Sequence, residues 1–321
     1  MSKHFFKLLF SLLFLCSYLS FSQKLSYPQT KKIEHVDTYF GTKISDPYQW
    51  MEDQNAQDVA DWVKEENKVT FSYLDKIPFR NSIKERLTKI WNYPKYTVPF
   101  KEGNMWFSYK NNGLQNQSVL YVQKDLNAEP QLLLDPNTLS ADGTVALSGT
   151  SVSKDGKYLA YSISRSGSDW QEIYVMNIET KTMLNDTINW AKFTGINWRG
   201  NGFYYSRFDA PKEEGKTFSA SNEFHKIYFH KIGTKQSEDN LVYEDKEHAK
   251  RTFGFDITED ERFLFLTGSE GTSGNSLYYM DTKKGDTQFK PIVTTLDKDI
   301  DRKSTRLNSS HVSESRMPSS A

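Results

Sequence analysis

Apolar and polar positions change rhythm twice along this chain. After an apolar run from Leu8 to Leu19, the stretch from Lys24 to Pro94 follows helical spacing. Val59, Trp62, Val63, Val69 and Tyr73 return at roughly 3.6-residue intervals behind Asn55, which can cap a helix. Pro78 ends that unit. A second helix is predicted from about Asn81, with Ile83, Leu87, Ile90 and Trp91 on one side, before Pro94 stops it. Each helix has one apolar face. Two short helices cannot cover both faces against each other, so this segment is expected to dock onto something larger.

From Tyr96 to about Ile300 a different unit recurs: a turn signal, a short apolar strand, a polar gap and a second strand rich in tyrosine. Gly103-Asn104 leads to Met105-Trp106-Phe107-Ser108-Tyr109 and then Val119-Leu120-Tyr121-Val122. Asp155-Gly156 leads to Tyr158-Leu159-Ala160-Tyr161 and then Ile173-Tyr174-Val175-Met176. Asn201-Gly202 leads to Phe203-Tyr204-Tyr205 and Ile227-Tyr228-Phe229, and Asp260-Glu261 leads to Phe263-Leu264-Phe265-Leu266 and Leu277-Tyr278-Tyr279-Met280. A strand pair that returns about every fifty residues predicts radial β-sheet blades, each burying its faces against its neighbours. About four blades are present, and a generic β-sandwich with irregular hairpins is the alternative.

Composition narrows the function. Lysine plus arginine and aspartate plus glutamate both total 41, so no global field attracts nucleic acid or anionic lipid. Lys3, His4 and Lys7 precede the Leu8–Leu19 run, which is short for a bilayer span, and Ser20 and Ser22 follow it. A signal peptide cleaved after Ser22 is expected, with an uncleaved anchor as the alternative. Cys16 lies inside this segment and is the single cysteine, so the mature chain would have no disulfide framework or thiolate metal site. After Ile300 the run Asp301-Arg302-Lys303-Ser304-Thr305-Arg306-Leu307-Asn308-Ser309-Ser310-His311 resembles a translated sequencing-library adapter, and 301–321 is expected to be a non-native tail.

The search for chemistry finds no G-x-S-x-G elbow, no H-E-x-x-H and no phosphate loop. Gly271-Thr272-Ser273-Gly274 comes closest to the elbow but has the wrong spacing and reads as a turn. His225 and His230, five residues apart around a strand, should point to opposite faces and are expected at the surface. The carboxylate pairs Glu213-Glu214 and Glu259-Asp260 read as solvated loops. No metal site and no cofactor are expected.

Several stretches carry a resemblance. Asp46-Pro47-Tyr48-Gln49-Trp50-Met51-Glu52-Asp53, Tyr93-Pro94-Lys95-Tyr96, Gly113-Leu114-Gln115-Asn116-Gln117, Leu134-Asp135-Pro136-Asn137, Asp142-Gly143-Thr144-Val145-Ala146-Leu147 and Ser166-Gly167-Ser168-Asp169-Trp170 occur in an order that closely resembles prolyl oligopeptidases. These are serine peptidases that cut short peptides after proline. The resemblance implies a mainly β fold: a partial seven-bladed β-propeller, with about four blades over 95–300. Before it stands a helical segment, 23–94, belonging to an α/β-hydrolase domain mostly missing from this chain. Family members carry the catalytic serine, aspartate and histidine in that later segment, so no catalytic residue is transferred and this fragment is expected to be inactive. Phe193 in Lys192-Phe193-Thr194 matches a family aromatic in the substrate pocket, with packing in a blade core as the alternative role, and Thr252 and Thr272 align with pocket positions that are apolar or sulfur-bearing elsewhere. The implied protein is an exported monomer, periplasmic or extracellular, with no stable membrane span. Its implied partners are short proline-containing peptides, admitted by the propeller, and the missing hydrolase domain of the same chain. A secreted propeller that binds peptides without catalysis is the rival reading.

Overall fold

The computed structural model describes residues 25–53, 55–211 and 221–300. The expected signal peptide at 1–22, the tail at 301–321 and Glu213-Glu214 lie outside the described residues. The chain forms two units: one ends at Asn92 and also takes in Pro211, the other runs from Tyr93 to Ala210 and resumes at Ser221.

The first unit opens with a hairpin of β1 (Val36–Tyr39) and β2 (Thr42–Ser45), paired antiparallel. Helical spacing did not predict it. Its strands are rich in threonine and β-branched residues, and Phe40 and Gly41 turn the chain with φ of 51° and 83°. Helices α1 (Gln57–Leu74) and α2 (Arg80–Trp91) follow. Asn55 does not cap α1. The cap position is Ala56, which has no polar side chain to offer. The Trp62 indole donates to Thr30 Oγ1 at 3.2 Å, and Trp50 donates to the Lys31 carbonyl at 3.0 Å. These bonds lay the extended residues before β1 along the unit. Neither helix buries any residue, and Val63, Phe71, Ile83, Leu87 and Trp91 stay exposed.

The second unit is four antiparallel sheets in sequence order. The first contains β3 (Lys95–Tyr96), β4 (Phe100–Glu102), β5 (Met105–Asn111), β6 (Val119–Gln123) and β7 (Gln131–Leu134). The second contains β8 (Val145–Val152), β9 (Tyr158–Arg165), β10 (Gln171–Asn177) and β11 (Thr182–Ala191). The third contains β12 (Asn197–Arg199), β13 (Gly202–Arg207), β14 (Lys226–Lys231) and β15 (Asn240–Glu244), and touches β11 through the single pair Ala191 and Arg207. The fourth contains β16 (Thr252–Ile257), β17 (Phe263–Ser269), β18 (Ser276–Asp281) and β19 (Lys290–Val293). These are blades, each a meander of neighbouring strands.

Alternation along the strands builds the core between the sheets. Leu159, Tyr161 and Ile163 of β9 join Phe107, Leu120 and Val122 of the first sheet. Ala160, on the other face of the same strand, joins Ile173, Ile188, Phe203 and Tyr205 between the second and third sheets. Tyr204 turns away from Phe203 and Tyr205 to meet Phe253, Leu264 and Leu266 of the fourth sheet. A period of two thus supplies both neighbours from one strand, and both faces of an inner sheet are covered.

In every sheet the last two strands slip register, in three of them between an apolar residue and the tyrosine after it: Leu120/Tyr121, Ile227/Tyr228 and Leu277/Tyr278. In the second sheet there are two slips, one after Gln171 and one after Tyr174. Such bulges add twist to the outer edge of each sheet. The turn glycines have a packing reason as well. Gly103 has φ of 56°, and a Cβ there would stand 3.0 Å from the Asp155 backbone carbon in the corresponding turn of the next sheet.

Candidate functional site

The β5–β6 and β13–β14 connections lie against neighbouring sheets. Side chains reach across to tie them together. Gln117, in the β5–β6 turn, donates to the Val145 carbonyl at 2.8 Å and accepts from the Leu147 amide at 2.7 Å. His225, just before β14, donates through Nε2 to the Lys192 carbonyl at 3.0 Å, and its Nδ1 accepts from the Phe253 amide at 2.9 Å. That one imidazole therefore joins the end of β11 to the start of β16.

Phe193 follows Lys192 at this junction. The residue is 55% exposed and its backbone has φ of 51°, a left-handed conformation costly for an aromatic residue. The His225 bond to the carbonyl just before it holds that conformation. Edge-on contact with Phe208 at 6.4 Å supports one side of the ring, and Phe208 packs on His225 at 4.6 Å. Trp170 meets Trp190 and Phe208 edge-on at 5.4 and 6.3 Å. Into this aromatic cluster reaches Lys192, largely buried, its ammonium 4.9 Å from the Trp170 ring centre, 5.4 Å from that of Phe193 and 3.7 Å from the Asp169 carboxylate. Cation–π attraction and the carboxylate compensate for its lost hydration.

Beside the Phe193 ring opens a surface cavity of about 470 Å³, walled by Ser148, Ser164, Ser168, Asp169, Gln171 and Thr194. Hydroxyl and amide walls under an exposed ring suit an extended peptide, whose backbone needs hydrogen-bond partners while one apolar side chain needs a face to rest on. Thr252 and Thr272 are not among these walls. Thr252, half-buried, opens β16 and donates to the Ser269 carbonyl at 3.3 Å, while Thr272 is exposed in the β17–β18 turn. The His225 bridge links Phe193 to Thr252 through their neighbours Lys192 and Phe253, and Thr272 stands apart from that chain.

His225 and His230 do point to opposite faces, but neither is at the surface: both are fully buried. The expectation of surface histidines fails because a neighbouring sheet covers each face of the third sheet. His225 shares the face of Ile227 toward the fourth sheet, and His230 shares the face of Tyr228 toward the second. Burial pushes His225 down to about 4, and the bond to the Lys192 carbonyl offsets this only in part. It is therefore neutral at physiological pH. Because Phe253 donates to Nδ1, the proton sits on Nε2. The sequence carried a signal for this residue in its two-residue step to Ile227. The four described histidines are bonded to carboxylates or backbone groups: His35 to Asp37, His248 to Asp245, His230 to two aspartates and His225 to main chain.

Residues 28–309 match the family model described as prolyl oligopeptidase, N-terminal beta-propeller domain. The prolyl endopeptidase of Elizabethkingia meningoseptica is 47% identical over 280 residues, covering 87% of this chain and 39% of that protein. Prolyl oligopeptidase A of Amanita bisporigera is 33% identical over 285 residues, covering 79% of this chain and 37% of that protein. Among solved structures, prolyl oligopeptidase B from Galerina marginata, bound to a 35mer hydrolysis and macrocyclization substrate, aligns with a TM-score of 0.69 at 30% identity, over 84% of this chain and 42% of that one. The chain thus spans about two fifths of the length of the relatives it matches.

Proposed function

Because the chain belongs to the prolyl oligopeptidase family, whose N-terminal β-propeller domain it carries, we propose that it forms the substrate-admitting part of a serine endopeptidase that cleaves short peptides after proline. The observation that carries this reading is the Phe193 ring, exposed over a polar-walled cavity and fixed in a left-handed backbone by a buried histidine. An exposed aromatic on strained backbone is costly to maintain for stability alone. It is worth keeping where a ligand rests on it.

In this proposal Phe193 receives a side chain of the peptide upstream of the scissile proline, Thr252 and Thr272 make the neighbouring subsite more polar, and the propeller restricts entry to small peptides. Serine attack, proton transfer through histidine and hydrolysis of the acyl-enzyme belong to an α/β-hydrolase segment of the same polypeptide. That segment seats on the exposed apolar faces of α1 and α2. Residues 23–94 then belong to the hydrolase domain and 95–300 to the propeller. Without that segment the chain lacks transition-state stabilisation and is inactive. The full protein is an exported monomer, its leader lying in residues 1–22.

The 321-residue chain is expected to give no turnover of a glycyl-prolyl chromogenic peptide above buffer, whereas a polypeptide extended through its downstream coding sequence cleaves it. Robust turnover by the shorter chain would overturn the proposal. In the extended enzyme, Phe193→Ala should raise KM about fivefold with kcat nearly unchanged, since a ring contact worth about 1 kcal/mol is lost equally from ground and transition states. Unchanged KM would remove Phe193 from the substrate site.

A further inference from the structure

One buried cluster is not used by the site above. Asp186 of β11, in the second sheet, accepts from His230 Nε2 at 2.9 Å and from the Gly233 amide at 2.6 Å. Asp239, just before β15, lies 2.7 Å from His230 Nδ1 and accepts from the Tyr205 hydroxyl at 2.7 Å. The side chains of His230, Asp186 and Asp239 are all essentially without solvent contact. Beside them Gln236 bonds both the amide and the carbonyl of Asn189, again joining the third sheet to β11.

A neutral imidazole has one N–H and cannot donate to two carboxylates. Only the imidazolium satisfies both contacts. With the neutral ring, one of them sets a nitrogen lone pair against a carboxylate oxygen in a dry site, where an unmade bond is costly. The groups facing His230 are Asp186 from β11, Asp239 from the β14–β15 connection and the Phe203 ring from β13 at 5.3 Å. Beyond Asp239 stands Tyr205, and beyond Tyr205 is Arg207, its guanidinium 4.6 Å from the Tyr228 ring centre. Arg207 pairs with neither aspartate.

The geometry points to a pH-operated latch: protonated His230 tightens β11 of the second sheet against the third sheet, and its deprotonation loosens that hold, leaving the Gln236 and Gly233 bonds. The strand runs directly into Lys192-Phe193, so the latch also governs how firmly the exposed ring is held at the cavity. Burial acts to lower the affinity of His230 for its proton, but the two aspartates outweigh it and hold the imidazole above its ordinary 6.5. A raised folded value places full locking below 6.5. Locking is lost as pH climbs through the raised value.

Hydrogen–deuterium exchange of the 321-residue chain tests this. After correction for intrinsic rates, protection over residues 182–191 should be severalfold lower at pH 9 than at pH 6, because the raised proton affinity of the folded state is lost on deprotonation. His230→Gln should abolish that pH dependence and leave β11 at the low level throughout. As a readout independent of any variant, the His230 ring signals of the unaltered chain should titrate above those of a model imidazole peptide. Flat protection in the unaltered chain, the same slope in His230→Gln, or a ring that titrates below the model peptide would each overturn the latch.

Discussion

Replacing His225 with leucine should lower the unfolding free energy of the propeller unit by about 4 kcal/mol, because the buried Lys192 carbonyl and Phe253 amide both lose their partner, at about 1–3 kcal/mol each. Leucine fills a similar volume, so packing against Phe208 is largely kept and the loss falls on these hydrogen bonds. The pH behaviour separates this from a generic packing defect. In the folded chain His225 protonates only near 4, pushed there by burial, while in the unfolded chain it does so near 6.5. The unfolded state therefore binds the extra proton between those values, and stability falls as pH drops from 6.5 toward 4. At about 1.4 kcal/mol per unit the whole limb is on the order of 3 kcal/mol. Urea unfolding at pH 7 and pH 4.5 should show this acid loss in the unaltered chain and a clearly smaller one in His225→Leu. Equal losses in both would show that His225 is not the titrating group. Opposite in sign to the His230 latch, this limb leaves the propeller firmest between the two histidine transitions.

Gly202→Ala is expected to be nearly as damaging, at about 3 kcal/mol and a melting point lower by about 10 °C. Gly202 opens β13 in register with Lys231 and is buried. A methyl group there would overlap the His230 carbonyl oxygen and stand 2.6 Å from the Phe229 ring. The carbonyl belongs to the β13–β14 ladder, so it cannot withdraw without breaking strand pairing, and the same movement would carry His230 off its aspartates. Gly271→Ala is the control, since nothing lies within 4 Å of its added carbon. Thermal unfolding followed by circular dichroism distinguishes the two. A melting point for Gly202→Ala within a degree or two of the unaltered chain would show that the close approach is relieved at little cost.

Much of the architecture could be read along the chain. Turn signals at Gly103, Asp155-Gly156, Asn201-Gly202 and Asp260 precede β5, β9, β13 and β17 in turn, and the two helices fall at Gln57–Leu74 and Arg80–Trp91. The outer strands β7, β15 and β19 were not singled out, because short stretches such as Gln131–Leu134 and Lys290–Val293 carry too few alternations to stand out. The β1–β2 hairpin was missed because it stands beside strong helical spacing. At the candidate site Phe193 was legible through its resemblance, whereas its support was not. His225 and Phe208 stand 32 and 15 positions away, and nothing in their local sequence says they meet it.

The sequence alone determined the strand rhythm, because alternation and turn chemistry act between residues close in the chain, and that rhythm suffices to specify sheets. It did not determine what covers those sheets. Only the stacking of four blades buried both faces of the third sheet, and that burial turned two histidines that looked superficial into opposite devices. One is kept neutral because burial disfavours its charge and its hydrogen bonds go only to main-chain groups; the other holds its proton more firmly because a neighbouring blade brings an aspartate to its second nitrogen. The charge of a buried imidazole depends on partners far away in sequence, which only the tertiary structure brings together.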